Sequence, residues 1–411
     1  MVSLMEYGLI GDRLGHSFSK VIHESIMDYK YDLVELDENE FDIFMKARDF
    51  KAINVTIPYK RAVIDYLDEI DNNVARIGTC NVVVNKDGRL YGYNSDYYGL
   101  MELIRVNGIE IKDRKCLILG SGGTSHTAYY VLKDMGAKDI QTVSRNKREG
   151  VITYDEAREL KDTQIIVNTT PKGMYPDDNG QCIDIECFEN LEGTVDVIFN
   201  PLRTNFILKA QEKGIKTAAG LYMLVAQAVK AIEYFKDIEL DKKLIDDIYH
   251  RILKEKENIV LIGMPGCGKS TIAALLDKDY LDTDRLIEEK YGRPPGTIIE
   301  EEGEKSFRDK ESEVIAEVSK LSGKVISTGG GAVLRKENTD RLKRNGRLFY
   351  LQRELEKLQT GNGRPLSKDF ESLKKLYEDR KEIYLKSADI CIDNNGTVQE
   401  CIRRIDESIC D

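Results

Sequence analysis

The sequence has no long apolar run that could cross a membrane. No stretch approaches the about 18 consecutive apolar residues of a membrane-spanning helix. The first residues, MVSLMEYGLIGDRLGHS, contain an early acid and glycines instead of the apolar segment of a signal peptide. We therefore expect a cytoplasmic protein without a membrane partner.

Cysteine and histidine are too scattered to predict a disulfide framework or a structural metal site. The chain has 8 cysteines and no CxxC pair, and only Cys182 and Cys187 are close in sequence. Isolated thiols of this kind are typical of reduced, intracellular proteins. The 4 histidines form no HExxH motif, and we expect structural roles for all of them. They are His16, His23, His126 and His250.

The sequence also lacks a basic block. Its net charge of -11 is spread along the chain, whereas binding to a phosphate backbone requires clustered Lys and Arg. We therefore expect small-molecule substrates and no nucleic-acid partner. A length of 411 residues exceeds one hydrophobic core and predicts two or three domains.

Short β-branched runs alternate with amphipathic, helix-like stretches along the whole chain. This rhythm predicts α/β domains with parallel sheets. A separate strand followed by a glycine-rich loop begins at NIVLIGMPGCGKST, so we place a domain boundary near residue 255. The preceding charged, helix-like stretch predicts the last helices of the first part and a short connection.

The first glycine-rich loop, in CLILGSGGTSHTAYYVL, has the order strand, loop, helix of a dinucleotide-binding turn. A glycine fingerprint alone is a weak signal, because an ordinary strand-to-helix turn also uses glycine. The next strand ends in SRNKR, where an NAD enzyme usually has an acid. These groups favour the 2′-phosphate of NADP, although a solvated charge run is the alternative. The predicted cofactor-binding residues of this region are Gly120, Gly122, Gly123, Ser144 and Arg145.

Polar groups lie in apolar or turn-like contexts within the first hundred residues. Reduction of a ketone by hydride needs a proton donor at the developing alkoxide, and a lysine held by a carboxylate can supply it. Lys60 and Asp96 are the candidates, although Lys60 alone could equally be a surface lysine after a proline turn. The other candidate polar residues are Ser17, Ser19, Thr56 and Asn81.

The first 250 or so residues resemble shikimate dehydrogenase at HSxS, NVTxPxK, the Asn81 loop, NxD, GxGG, NPLRT and GxxMLVAQA. The resemblance implies NADP-dependent reduction of 3-dehydroshikimate to shikimate, with Lys60 as acid or base and Asp96 as its partner. It also implies that Ser17, Ser19, Thr56, Asn81 and Gln227 bind the substrate. Phe199 and Gly220 would lie at the nicotinamide end, and Phe199 stands where relatives often have tyrosine. Quinate is the alternative substrate of this half.

In the C-terminal part, the spacing of GMPGCGKST fits a P-loop, whose backbone N-H groups wrap the phosphates of a nucleoside triphosphate. Lys269 would neutralise the β and γ oxygens, and Ser270 would ligate Mg²⁺. The predicted ATP-binding residues of this loop are Gly263, Gly266, Cys267, Gly268, Lys269, Ser270 and Thr271.

Charged residues after the P-loop predict an acceptor pocket, which distinguishes a kinase from a hydrolysing motor. Asp282 and Asp284 alternate in LDTD, where they would serve a metal-bound water and a substrate hydroxyl. Separate arginines suit a carboxylate clamp and a contact with the transferring phosphate. The further candidates are Arg308, Gly329 to Gly331, Arg364 and Arg380.

Residues 256 to about 405 resemble shikimate kinase through GxxGxGKST, DxD, FRxxE, GGGA, RPL and the following RxxxY. The resemblance implies ATP-dependent phosphorylation of the shikimate 3-hydroxyl, with Asp282 at the metal and Asp284 accepting or orienting the hydroxyl proton. Arg308, Gly330 and Arg380 would bind shikimate, and Arg364 would close over the phosphates. Gln359 departs from the arginine that relatives often stack on adenine, so looser nucleotide binding is expected.

The two resemblances together predict a bifunctional enzyme with three domains and NADP(H), ATP and Mg²⁺ as cofactors. Residues 1-100 would form an α/β substrate domain, residues 101-255 a Rossmann domain, and residues 256-411 a P-loop domain resembling the nucleoside monophosphate kinases. The alternative is that one half is a degenerate binding module. The presence of Lys60, Asp96, Lys269 and Asp284 argues against it.

Overall fold

The computed structural model describes residues 5–12, 14–15, 18–176, 180–358 and 369–410. The chain divides into two compact units, Met1–His250 and Arg251–Asp411. Helix α9 (Lys243–Lys256) crosses this division, which lies close to the boundary predicted near residue 255. None of the described helices combines the length and the apolar character that a membrane span requires.

The first unit contains two six-stranded sheets. The strands of its first sheet are β1 (Tyr7–Gly11), β2 (Tyr31–Glu35), β3 (Ala52–Val55), β4 (Glu69–Ile70), β5 (Val82–Lys86) and β6 (Arg89–Tyr93). They are ordered β2-β1-β3-β5-β6-β4, and β5 runs antiparallel to both β3 and β6. The sheet is therefore mixed, not parallel throughout as the alternating rhythm predicted. The hairpin between β5 and β6 turns at Asp87 and Gly88, which both have positive φ, of 54° and 86°.

The second sheet of this unit is entirely parallel, as predicted. Its strands are β7 (Lys115–Leu119), β8 (Asp139–Val143), β9 (Val151–Ile152), β10 (Ile165–Asn168), β11 (Gly193–Asp196) and β12 (Lys216–Ala219). They are ordered β12-β11-β10-β7-β8-β9. Apolar side chains such as Leu117, Ile118 and Val167 are buried in the sheet. The loops that follow β7, β8 and β10 leave the same carboxyl edge of the sheet, where ligands bind in folds of this class.

The helices of the first unit join and cover these sheets. They are α1 (Ser19–Ile26), α2 (Glu38–Ala47), α3 (Asn72–Ile77), α4 (Ser95–Val106), α5 (Gly123–Asp134), α6 (Tyr154–Arg158), α7 (Asn205–Glu212) and α8 (Leu221–Lys236), followed by α9. Helices α4 and α8 approach closely at Gly99, where a Cβ atom would lie 2.7 Å from the Met223 carbonyl oxygen and 2.9 Å from the Gln227 Cβ. This close packing brings the first turn of α4 next to Gln227.

The second unit has one parallel five-stranded sheet, ordered β14-β15-β13-β16-β17. Its strands are β13 (Asn258–Ile262), β14 (Tyr280–Asp282), β15 (Val325–Ser327), β16 (Gly346–Gln352) and β17 (Ile390–Asp393). Its helices are α10 (Lys269–Ala273), α11 (Thr283–Tyr291), α12 (Pro295–Glu302), α13 (Glu304–Val318), α14 (Lys336–Asn345), α15 (Phe370–Ser387) and α16 (Val398–Cys410). The central strand β13 is buried along its whole length and leads directly into the P-loop.

Candidate active sites

The first unit has a cavity of about 1150 Å³ beside the carboxyl edge of its parallel sheet. The cavity extends from Lys60, after β3, past the loop Gly120–Gly123 to Ser144 and Arg145, after β8. Its described lining contains five basic side chains and no carboxylate. The basic residues are Lys60, Arg61, Arg145, Arg158 and Lys172. A volume and charge of this kind suit a large anionic ligand.

Lys60 and Asp96 form an ion pair at one end of this cavity. The Lys60 Nζ donates to the Asp96 Oδ2 over 2.6 Å, and the two side chains are only 20% and 12% exposed. Asp96 lies in the first turn of α4, where the helix dipole favours a negative charge. The pairing keeps a lysine ammonium at the cavity wall, which is the arrangement that a proton donor needs.

Amide and hydroxyl groups fix the orientation of Asp96. The Asn81 Nδ2 donates to the Asp96 Oδ1 over 3.0 Å, and the Asn81 Oδ1 accepts from the Ser95 backbone N over 2.8 Å. The Ser95 hydroxyl in turn donates to the Gln227 Oε1 over 3.3 Å. Asn81 directly precedes β5, Asp96 belongs to α4 and Gln227 belongs to α8. The structure therefore brings together Lys60, Asp96, Asn81 and Gln227.

Two further candidates lie on neighbouring elements. Ser19 begins α1 and is buried, and Thr56 directly follows β3, with its methyl group against Gly11. Ser17 lies outside the described residues. Their contact with a substrate stays a prediction.

The glycine loop after β7 is tightly packed against the sheet. Gly120 has a φ of 110°, and a Cβ atom there would lie 2.7 Å from the Thr169 Oγ1. Gly122 caps the N-terminus of α5, and the Ser121 hydroxyl donates to the Ser144 hydroxyl over 3.4 Å. The N-terminus of α5 opens onto the cavity, whose described lining contains no carboxylate. This arrangement suits a pyrophosphate.

Phe199 follows β11, and Gly220 follows β12 and packs against Val197 and Ile198, just before Phe199 in the chain. Gly220 begins α8, and a Cβ atom there would lie 2.2 Å from the Val197 carbonyl oxygen. The Phe199 ring makes an edge contact with Phe18, with ring centroids 5.6 Å apart. Neither residue is among the described residues that line the cavity, so their place beside a nicotinamide stays a prediction.

The P-loop borders a second cavity, of about 260 Å³, in the second unit. The buried Lys269 Nζ donates to the carbonyl oxygens of Gly263 and Met264, over 2.9 and 3.1 Å. The predicted loop residues Gly266, Gly268, Ser270 and Thr271 line the same cavity, whereas Cys267 is fully buried. A lysine ammonium held by the loop itself is ready to neutralise a phosphate.

Ser270 and Asp282 meet at the position predicted for Mg²⁺. The Ser270 hydroxyl donates to the Asp282 Oδ2 over 2.6 Å, and the other carboxylate oxygen caps α11 by accepting from the Asp284 backbone N over 3.0 Å. The described residues contain no group of three or more His, Cys, Asp or Glu side chains that could hold a metal. Mg²⁺ is commonly bound by few protein ligands together with substrate phosphates, so this oxygen pair fits it.

Asp284 and Glu311 place two carboxylates beside the triple-glycine loop. A Cβ atom on Gly329 would lie 2.8 Å from the Asp284 Oδ1 and 2.7 Å from the Glu311 Oε1. Asp284 keeps contact with solvent through the cavity, but desolvation by the crowded protein atoms raises its pKa to about 6. The negative charges of Asp282 and Glu311 raise that pKa further, against the opposing effect of Lys269 and Arg308. The Asp284 carboxylate therefore takes up a proton closer to neutral pH than an ordinary aspartate does.

Two buried arginines, Arg308 and Arg380, line the same cavity as Lys269. The Arg308 guanidinium donates to Glu311 over 2.8 Å and to Glu304 over 3.0 Å, and it occupies the space of a Cβ atom on Gly331. The Arg380 Nη1 donates to the Gly330 carbonyl oxygen over 3.1 Å. Among the described residues, the Arg308 Nε and the Glu311 Oε1 have no hydrogen-bond partner. Arg364 and Gln359 lie outside the described residues.

Comparison with known proteins gives matches for both parts of the chain. Residues 9–83 match the family model for the shikimate dehydrogenase substrate binding domain. The shikimate dehydrogenase (NADP(+)) of Clostridium perfringens is 36% identical over 264 residues, which cover 60% of this chain and 97% of the relative. The chain belongs to the shikimate dehydrogenase family. Residues 265–410 match the shikimate kinase family model, so the chain also carries a shikimate kinase domain.

Solved structures give the same result for the dehydrogenase part. Shikimate dehydrogenase 1 from Peptoclostridium difficile is 32% identical with a TM-score of 0.56, over 60% of this chain and 97% of that one. A chorismate mutase/shikimate 5-dehydrogenase fusion protein from Clostridium acetobutylicum is 37% identical with a TM-score of 0.57, over 61% and 98%. A Thermus thermophilus relative, 25% identical with a TM-score of 0.54 over 60% and 99%, was solved with NADP(H) and shikimate. The predicted family and fold class are thereby confirmed.

Several residues that build these two sites were not among the predicted site residues. Glu311 lies in the FRDKE segment, and its spacing of three residues from Arg308 on a helix was a usable signal. Ser95 and Thr79 of the dehydrogenase part gave no such signal, because a lone hydroxyl next to a turn is common. The structure shows Thr79 in the cavity wall and Ser95 bridging Asn81 to Gln227.

Proposed function

We propose that this chain catalyses two consecutive reactions in separate sites. Residues 1-255 reduce 3-dehydroshikimate to shikimate with NADPH, and residues 256-411 phosphorylate shikimate with ATP. The observation that carries the proposal is the presence in one chain of a buried lysine–aspartate pair beside a basic cavity and a P-loop facing Asp284. The hydroxyl that the first reaction makes is the one that the second reaction phosphorylates.

In the dehydrogenase part, Lys60 acts as the proton donor. When NADPH is bound, its nicotinamide would supply the hydride for the carbonyl carbon, and the carbonyl oxygen would then need a proton. The Lys60 ammonium gives that proton, and Asp96 at 2.6 Å orients the lysine before transfer. Asn81 and Gln227 hold this pair and bind substrate hydroxyls. In the reverse direction, neutral Lys60 removes the proton.

Cofactor binding in this part follows the glycine loop and the end of β8. Gly120, Gly122 and Gly123 bring backbone N-H groups to the pyrophosphate, and Ser144 and Arg145 bind the 2′-phosphate. The substrate would occupy the end of the cavity beside Lys60, with Ser17, Ser19 and Thr56 at its carboxylate and hydroxyls. Phe199 and Gly220 would lie beside the nicotinamide ring.

In the kinase domain, Asp284 accepts the proton of the shikimate 3-hydroxyl as that oxygen attacks the γ-phosphorus of ATP, the bond to the bridging oxygen breaks and ADP leaves. Lys269 leaves its carbonyl partners to neutralise the phosphate oxygens, and Ser270 and Asp282 would hold Mg²⁺. Arg308 and Arg380 bind the shikimate carboxylate. The raised pKa of Asp284 supports this role because it makes the carboxylate a better proton acceptor near neutral pH.

Two variants of the full chain test whether the sites are separate. Lys60→Ala is expected to lower kcat of NADPH oxidation by about a thousandfold, because general acid catalysis contributes about 10² to 10⁴. Lys269→Ala should lower shikimate phosphorylation to a similar degree, since it removes a charge at the transferring phosphate. Each variant serves as the control for the other, because its second activity should stay within about twofold.

The outcome that contradicts the proposal is equally specific. Wild-type protein that is folded but neither oxidises NADPH with 3-dehydroshikimate nor consumes ATP with shikimate would refute it. Loss of both activities in either single variant would refute independent sites.

A further inference from the structure

The outer end of the basic cavity is built from two segments of the chain. Arg145 follows β8, whereas Tyr154 and Arg158 belong to the short helix α6, and all three line the cavity. The burial of the Tyr154 phenol and the nearby Cys182 raise its pKa, and the Arg145 charge lowers it. Arg158 thus lines the same region of the cavity as Arg145.

Local hydrogen bonds hold α6 in this position. The Ser144 backbone N donates to the Ile152 carbonyl oxygen over 2.9 Å, which ties the end of β8 to β9. Thr153 and Glu156 form a capping box at the start of α6, and Glu156 also pairs with Lys147. The segment that carries Arg158 is therefore anchored to the strand end that carries Arg145, and both arginines line the same cavity.

Arg158 forms only a weak ion pair in this structure. Its guanidinium pairs with Asp155 of the same helix, and the Asp155 side chain is 91% exposed. Exposed ion pairs contribute little to stability. The described lining of the cavity contains no carboxylate that would compete for the group inside it. A doubly charged phosphate in the cavity would therefore attract Arg158 away from Asp155.

We propose that Arg158 is a second cation for the 2′-phosphate of NADPH and acts with Arg145 to select NADPH over NADH. This inference rests on the proposed dehydrogenase function. It adds a specificity residue that lies outside the strand-end segment SRNKR, on the following helix. The 2′-phosphate is the only group by which the two cofactors differ, so the effect of Arg158 must appear with NADPH alone.

The test is a titration of the full chain with NADPH and with NADH, followed by nicotinamide fluorescence without 3-dehydroshikimate. Arg158→Gln is expected to raise the Kd of NADPH about tenfold, the loss of one charge-assisted hydrogen bond, and to change the Kd of NADH by less than about twofold. Arg158→Lys keeps the positive charge but lacks the planar pair of N-H donors of a guanidinium, so it should recover part of the lost affinity.

Arg114→Gln is the matched control. Arg114 also pairs with a single carboxylate, Glu192 at 2.7 Å, but it precedes β7 at the opposite edge of the same sheet. Its removal changes the net charge equally and should leave both Kd values within about twofold. An equal loss of NADPH affinity in Arg114→Gln and Arg158→Gln, or an equal loss of NADPH and NADH in Arg158→Gln, would overturn the inference.

Asp155→Asn gives an independent second result. Releasing Arg158 from its carboxylate should lower the Kd of NADPH about threefold without lowering that of NADH. An unchanged or higher Kd of NADPH would contradict the competition between Asp155 and phosphate. Because fluorescence reports binding without turnover, a protein that binds NADPH in this pattern but does not reduce 3-dehydroshikimate would refute the proposed function and support Arg158.

Discussion

The two sites of this chain differ in how their charges are balanced. The described lining of the dehydrogenase cavity has five basic side chains and no carboxylate. The described lining of the kinase cavity has three of each sign, namely Lys269, Arg308 and Arg380 with Asp282, Asp284 and Glu311. The first site is suited to an anionic cofactor that binds without a metal ion, and the second to a nucleotide that binds together with a metal cation.

The sites also differ in how completely their polar groups are satisfied. In the dehydrogenase site, Asp96 accepts from both Lys60 and Asn81, so its oxygens are paired before any ligand binds. In the kinase site, the Glu311 Oε1 and the Arg308 Nε have no hydrogen-bond partner among the described residues. Unsatisfied buried groups are costly, and a ligand that satisfies them gains affinity. We infer that the dehydrogenase pair is preassembled, while the kinase cluster reaches its best arrangement only with ligands.

The largest expected effect is on the kinase base. Asp284→Asn should lower kcat of shikimate phosphorylation by about a thousandfold, because the amide cannot accept the hydroxyl proton. NADPH oxidation should stay unchanged in the same preparation. Asp279→Asn is the matched control, since Asp279 pairs with Lys324 outside the cavity and its side chain is 81% exposed. A loss of less than about threefold in Asp284→Asn would show that this carboxylate is not the base.

A second, smaller effect tests preassembly in the dehydrogenase site. Asp96→Asn should lower kcat of NADPH oxidation by about a hundredfold, because Lys60 loses the partner that orients its ammonium. Lys86 and Asp237 form an exposed Lys–Asp pair over 3.2 Å, so Asp237→Asn controls for loss of an ordinary ion pair. If both variants retain wild-type rates, the buried pair has no special role.

The third prediction uses the pH dependence of the kinase. Asp284 must be ionised to accept a proton, and its pKa is raised to about 6, so the rate should fall as pH decreases through about 6. At pH 5 we expect about one tenth of the plateau rate, measured with the dehydrogenase rate as internal control.

Glu311→Gln sharpens this measurement. The Glu311 charge helps to raise the pKa of Asp284, so its removal should move the acidic limb of the kinase profile to lower pH. A limb that stays in place would mean that the two carboxylates do not interact. A limb that moves to higher pH would contradict the sign of the interaction.

Much of this organisation could be predicted from the sequence because it is local or carried by ordered motifs. The P-loop gives Lys269 and Ser270 at once, since one short segment makes the whole turn. The Lys60–Asp96 pair was also found, because both residues lie in distinctive segments. The antiparallel strand β5 was missed, although the Asp87–Gly88 turn is a hairpin signal.

Contacts that depend on tertiary packing could not be predicted. The proximity of Glu311 to Asp284 arises only when α13 packs beside the triple-glycine loop, and no spacing in the sequence records that distance. The same holds for Arg158, which reaches the cavity wall because β9 pairs with β8 and positions α6. The raised pKa of Asp284 is likewise a property of packing, since burial and two neighbouring carboxylates produce it.

The smallest expected effect sharpens the charge comparison itself. Raising the salt concentration from about 0.1 M to about 1 M shortens the Debye length from about 10 Å to about 3 Å and screens long-range attraction. The KM of NADPH should rise about fivefold, because the described lining of the dehydrogenase cavity carries basic side chains and no carboxylate. The KM of Mg-ATP should change by less than about twofold, because the charges of the kinase cavity cancel at a distance. In Arg158→Gln, the KM of NADPH should rise less with salt than in the wild type, while the KM of Mg-ATP should respond as in the wild type. Equal salt responses of the two KM values in the wild type would contradict the comparison.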